Sequence, residues 1–160
     1  MMRGMRRVVL TGVATAILIA VPQSAWANIL FSNAFWGGYP QISASGTGTL
    51  TQQGKGYVQG QVVGGKVQVQ GSVTVAGAIR SSKWNAAHTI ETFVGKAGQP
   101  MYVSSSGSGW WRVVVTGRVS INGWVRGSAT AVGTGRYTVT RKTSVTSRWS
   151  ANTPLRISTQ

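Results

Sequence analysis

Val58-Gln59-Gly60-Gln61-Val62-Val63-Gly64-Gly65-Lys66-Val67-Gln68-Val69-Gln70 is the stretch on which the fold turns. Two alternating runs meet at a Gly-Gly pair, which is a hairpin signal. Folded there, Val62 faces Val67, Gln61 faces Gln68 and Gly60 faces Val69. One face then carries Val58, Val62, Val67 and Val69. The other carries Tyr57, Gln59, Gln61, Lys66, Gln68 and Gln70. Such a ribbon buries its apolar face and wets its polar one. The alternation runs on through Val73, Val75 and Ile79, with Gly71 and Gly77 as places to bend or bulge.

A second ribbon system spans Trp110 to Ser147. Asn122-Gly123 lies between Val119-Ser120-Ile121 and Trp124-Val125-Arg126. This dipeptide is the strongest short-range hairpin signal. A turn there sets Ile121 against Trp124, Val119 against Arg126 and Val113 against Val132, and puts Arg118 and Arg126 on opposite faces. Gly133-Thr134-Gly135 then turns the chain into Tyr137–Arg141. The tail, Arg148 to Gln160, offers Trp149, Leu155 and Ile157 to close the sheet. Between the ribbons, Arg80–Ala87 reads as a loop or short helical turn and Thr89–Val94 as a strand. Gly95–Pro100 reads as a turn, Met101–Val103 as a brief strand and Ser104–Gly109 as a flexible loop.

Gly, Ser, Thr and Val dominate, and good helix formers are scarce. β-branched residues suit a pleated surface, and glycine disfavours helix. The expected fold is all-β: a single antiparallel sandwich or small barrel of about seven to nine strands. A β-solenoid is the alternative, although no fixed period runs through the chain. A membrane barrel is a third option, without a clear aromatic girdle.

The first 27 residues read as a secretory signal peptide. Arg3, Arg6 and Arg7 precede the uncharged run Val8–Val21, Pro22 breaks it, and Ala25-Trp26-Ala27 is a small-x-small cleavage site. Fourteen helical residues rise about 21 Å, too short for a hydrocarbon core of about 30 Å. Cleavage near Ala27 predicts a secreted, extracellular or periplasmic protein of residues 28–160, one all-β domain. Its first stretch, residues 28–41, is uncharged and carries Ile29, Leu30, Phe31, Phe35 and Trp36. It reads either as the first core strand or as an apolar arm that adds to a neighbouring subunit's sheet.

The 160 residues hold sixteen Lys+Arg, one acid, one His and no Cys, for a formal net charge of +15. The acid is Glu91. One carboxylate excludes a two-carboxylate glycosidase, and the absence of Asp excludes a Ser-His-Asp triad. Calcium and zinc sites lack ligands, so no metal and no cofactor are expected. His88 and Glu91 are three apart, which on a strand places them on opposite faces. Ser81-Ser82-Lys83 is adjacent in sequence without further support for Ser-Lys chemistry. The expectation is a non-enzymatic protein.

The positive charge is the most informative feature. Eight Lys and Arg fall in the last 49 residues, with no acid among them. Arg112, Arg118, Arg126, Arg136, Arg141, Lys142 and Arg148 interleave with Trp110, Trp111, Trp124, Tyr137 and Trp149. Arginine forks match phosphate, sulfate and carboxylate, and aromatic rings give stacking surface. The reading is a binder of anionic polymers: envelope polysaccharide, lipopolysaccharide, teichoic acid or extracellular DNA. The corresponding roles are an antimicrobial or a surface-adhering factor. The same charge also blocks sheet-to-sheet aggregation, and a chain without carboxylates loses little in an acidic habitat. The alternative is a self-assembling homo-oligomeric subunit of an extracellular filament, coat or matrix, built by strand addition of the arm.

Overall fold

The structure is a computed structural model that describes residues 38–105 and 109–160. The cleavage site at Ala25 and Ala27, and the arm residues Ile29, Leu30, Phe31, Phe35 and Trp36, lie outside the described residues, as do residues 106–108.

Eight strands and no helix occur among the described residues: β1 (Gln41–Gly71), β2 (Val73–Gly77), β3 (Ile79–Trp84), β4 (Glu91–Gly95), β5 (Pro100–Ser105), β6 (Trp111–Thr140), β7 (Ser144–Arg148) and β8 (Leu155–Ser158). Every pairing is antiparallel. They form one nearly closed, barrel-shaped sheet.

Two long strands build it, and their register shows why the sheet closes. Gly54 pairs with Trp111, and three residues later Tyr57 pairs with Trp124. Trp111 and Trp124 would stand about 43 Å apart on a straight strand. Three residues of β1 reach about 10 Å. Both pairings hold only because the β1–β6 ribbon winds back on itself. Gln41 and Tyr57 flank Trp124 on its two sides, so one circuit takes sixteen residues. Glycines mark the bends. Gly48, Gly56 and Gly64 recur every eight residues, Gly117 and Gly133 every sixteen, and all have positive φ. At Gly48 (φ 147°) an added Cβ would sit 2.1 Å from the Val132 carbonyl oxygen, so strands cross there too closely for a side chain. This spacing is the period that the sequence did not reveal.

Neither glycine turn expected from sequence is a hairpin. At Gly64-Gly65 the strand continues. Val63 pairs with Arg118 and Lys66 with Thr116, so two residues oppose Gly117 alone. Gly64 has φ 62°, the left-handed glycine of a G1 bulge. Asn122-Gly123 lies in mid-strand, and neither residue has positive φ. Asn122 is held on one edge by Ser43 and on the other by Gln59. Ladder bonds on both sides override the local turn preference, so Ile121 does not face Trp124. Gly133 bends β6 without ending it. The chain reverses instead at residues 141–143, which join β6 to β7. Arg80 to Trp84 is strand β3, not a loop, because it pairs with β4.

The barrel interior is the apolar side. From β1 it takes Ile42, Leu50, Val58 and Val62, then Val67 and Val69 beyond the bulge. From β6 it takes Trp111, Val113, Val115, Val119, Ile121 and Tyr137. Each fully buried aliphatic side chain contributes about 1.5–3 kcal/mol. Among the buried polar groups, Trp111 Nε1 donates to the Gly56 carbonyl at 3.1 Å. Tyr137 donates its hydroxyl to Gln52 Oε1, and Gln52 Nε2 donates to the Ser128 carbonyl at 3.1 Å. Trp149 closes one side of the core, its ring lying over Gly46 and Gly135. Most outward positions of β1 and β6 are Ser, Thr, Gln, Asn, Lys and Arg, interrupted at positions such as Tyr57, Val114 and Trp124, unlike the continuous apolar band of a membrane barrel's exterior.

Candidate anion-binding face

Because β6 runs unbroken through residues 122–123, its alternation never inverts. Arg112, Arg118, Arg126 and Arg136 are all even-numbered and all point outward, each beside at least one buried odd-numbered neighbour. The expected opposition of Arg118 and Arg126 came from the hairpin and falls with it. Arg118, Arg126, Arg136, Arg141, Lys142 and Arg148 are exposed, and Arg112 is half-buried.

The register then sets like charges against each other. Arg136 pairs directly with Arg148 across β6–β7, and Lys55 pairs directly with Arg126 across β1–β6. Like charges in such positions cost about 0.2–1 kcal/mol each relative to neutral pairs. No ion pair relieves them among the described residues. Glu91 instead opposes Trp84 and Val69. Arg126 also lies over the Tyr39 ring, 4.9 Å from its centroid, a cation–π contact that orients the guanidinium.

The β6–β7 hairpin gathers four of the seven predicted cations. Arg136 and Arg148 stand at its base, and Arg141 and Lys142 occupy its turn. Between them lie two hydroxyl rungs, Thr138–Thr146 at 2.8 Å and Thr140–Ser144 at 2.9 Å. These bonds tie the two strands together on the face that carries Arg136 and Arg148.

The aromatic set divides. Trp111, Tyr137 and Trp149 are buried, at 1%, 1% and 6% exposure, and serve the core rather than a surface. Burial pushes the Tyr137 phenol well above the usual tyrosine range. Trp110 is 46% exposed, and Trp124 is half-buried on the outward face. Sequence interleaving could not separate these, since adjacent Trp110 and Trp111 point to opposite sides of the sheet. Tyr39, Lys55 and Tyr57 were absent from the predicted set. Their signal, the lateral match with Arg126 and Trp124, exists only in the register.

No protein-family model, curated protein or solved structure matches the chain.

Acid–base chemistry finds no constellation. His88 sits in the β3–β4 turn with φ 52°, its ring stacked on Trp84 at 6.2 Å. Glu91 opens β4, and no hydrogen bond or ion pair joins the two. Ser82 opposes Phe93 and Lys83 opposes Thr92, so Ser82 and Lys83 point to opposite faces. No group of three His, Cys, Asp or Glu is assembled among the described residues. A hollow beside β8, lined by Ser128, Thr130, Arg156 and Ser158, is open to solvent and offers one cation.

Proposed function

We propose that the chain is a secreted, non-enzymatic β-barrel that binds anionic extracellular or envelope polymers through its outward basic face. The carrying observation is the directly opposed pair Arg136–Arg148, unrelieved by any carboxylate. A protein that sets guanidinium against guanidinium gains most from a ligand that supplies the missing anion. The Lys55–Arg126 pair supports the same reading.

The deciding experiment is salt-dependent binding to heparin, lipoteichoic acid, lipopolysaccharide and duplex DNA. Affinity for at least one polymer should fall steeply with salt. The combined variant Arg136→Gln, Arg141→Gln, Lys142→Gln, Arg148→Gln should weaken that binding and flatten its salt slope. Unchanged binding in the variant rejects the face. Absence of binding to every polymer rejects the function.

A second reading, self-assembly by strand addition, is favoured by the sheet edges. β7 and β8 pair only with β6, β2 only with β5, and β3 only with β4. Val145 on β7 is 63% exposed. In this reading the apolar arm of one copy pairs along the open edge of another. Deleting residues 28–37 should then leave a folded monomer. Unfolding on deletion, or assembly that persists, argues against it.

A further inference from the structure

The basic pair does not stand alone on its side of the barrel. Between the bends at Gly56 and Gly64, the outward positions of four strand segments form one face. Its lateral rows follow from the register. Tyr57, Trp124, Gln41 and Thr140 lie in one. Gln59, Asn122, Ser43 and Thr138 lie in the next, and Gln61, Ser120, Ser45 and Arg136 in the third. One flank is therefore aromatic and amide-bearing: Tyr57 and Gln59, with Tyr102 beside Gln61 on β5. The other flank is Arg136 and Arg148. The two strand segments between them present Trp124, Asn122 and Ser120 on one and Gln41, Ser43 and Ser45 on the other, all uncharged.

We infer that this face takes an acidic polysaccharide, with sugar rings on the Tyr57 flank and their carboxylate or sulfate groups on Arg136 and Arg148. The inference rests on the proposed function and names its ligand class. Three observations carry it. Tyr57 donates its hydroxyl to Gln59 Oε1 at 3.0 Å, which fixes the ring and the amide in one arrangement before any ligand arrives. A phenol ring presents a negative face to the polarised C–H bonds of a sugar. The centre offers hydroxyls and a carboxamide, the groups that exchange hydrogen bonds with sugar hydroxyls.

The charge spacing separates this ligand from nucleic acid. The Tyr57 flank and Arg136 are three strand spacings apart, roughly 14 Å, with no cation between them in those rows. A DNA strand carries a phosphate about every 3.4 Å and would lay uncompensated charges across that centre. An acidic glycan charged once per disaccharide sets an uncharged, hydroxyl-bearing sugar between its anions, which suits that centre.

The experiment is a binding titration with a hyaluronate hexamer, which carries one carboxylate per disaccharide, a neutral N-acetylglucosamine hexamer and a duplex DNA oligonucleotide. Wild-type protein, Tyr57→Ala, Gln59→Ala and Arg136→Gln are compared, each checked for native circular dichroism. The hyaluronate hexamer should bind. Tyr57→Ala and Gln59→Ala should each weaken it roughly three- to tenfold, the range expected for one lost aromatic contact or hydrogen bond, without changing DNA affinity. Arg136→Gln should weaken hyaluronate and reduce its salt dependence. If Tyr57→Ala fails to fold, amide chemical shifts of the wild type decide: hyaluronate should perturb Ser43, Ser45, Ser120 and Asn122. Hyaluronate binding that ignores both flank variants and leaves those amides unmoved overturns the inference. So does tighter binding of DNA with Arg136 as its sole determinant, which leaves the polymer-binding function standing. Failure of every polyanion removes both.

Discussion

Arg136 and Arg148 occupy directly opposed positions on adjacent antiparallel strands, with the Thr138–Thr146 hydroxyl bond one rung away. The hydrogen-bonded rung keeps the hairpin paired while the charges push it apart. The chain's single acid is committed elsewhere, opposite Trp84. Repulsion at this point is thus a standing cost of the free protein, and an anion is what removes it.

The cost is measurable in stability. Replacing either arginine by glutamine should raise the unfolding free energy by about 0.2–1 kcal/mol at low salt. The gain should shrink as salt approaches 0.5 M, because the screening length falls below about 10 Å beyond 0.1 M. Urea denaturation at two salt concentrations checks both. A destabilised variant, or a gain that salt leaves unchanged, contradicts the account.

The bends should be the least tolerant sites in the sheet. Gly48→Ala forces a Cβ to within 2.1 Å of a backbone oxygen in a conformation that disfavours side chains. The clash involves backbone, so no side chain can yield. Overpacking and strain together predict a loss of more than about 3 kcal/mol. Gly98→Ala is the control, since Gly98 has φ 69° with nothing within 4 Å. It should cost only about 1–2 kcal/mol, the left-handed penalty alone. Equal losses at the two sites would show that crowding at the bend is not the cause.

The sequence carried the alternation of this sheet well and its connectivity badly, for a physical reason. Val58, Val62, Val67 and Val69 do share the buried face. They do so because a one-residue bulge and a two-residue turn both shift the alternation by one position, so the pattern cannot distinguish them. Asn122-Gly123 misleads in the other direction. Its local preference for a turn is real, but β1 occupies both edges of the strand there. Which strand lies beside which depends on partners some seventy or more residues away, as in Gln41–Trp124 and Gln41–Thr140. Alternation fixes a face and never a partner. The cation-rich half was equally plain from composition, whereas the opposed pairs needed the register. Three of five aromatics went to the core because large rings fill a barrel interior at least as readily as they serve a surface.

Within that core, Gln52 and Tyr137 form a unit whose parts should not add. Tyr137→Phe leaves Gln52 Oε1 buried without its donor, and should cost about 1–3 kcal/mol. Gln52→Leu leaves the Tyr137 hydroxyl and the Ser128 carbonyl without the glutamine, at similar cost. The double variant no longer strands the hydroxyl–amide pair, so its loss should fall short of the sum of the single losses. A double-mutant cycle by denaturant unfolding reads the coupling directly. Strict additivity would mean that the two side chains do not act together.

The pH profile should be flat on the acid side and sloped on the alkaline side. Acid unfolding acts largely through carboxylates that must be protonated, and this chain has one acidic side chain in 160 residues. Stability should therefore change little between pH 7 and pH 3. On the alkaline side, burial holds the Tyr137 proton in the folded state far above its unfolded value near 10. A phenol raised in this way contributes fully below the unfolded value, and its contribution falls once pH rises above it. Burial raises Tyr57 in the same direction. The stability advantage of wild type over Tyr137→Phe should accordingly be constant up to about pH 9 and narrow above pH 10. Thermal unfolding of the two proteins from pH 3 to pH 11 measures both limbs. A steep acid limb would show that charges other than side-chain carboxylates control the fold. An advantage that widened above pH 10 would show that Tyr137 loses its proton in the folded barrel.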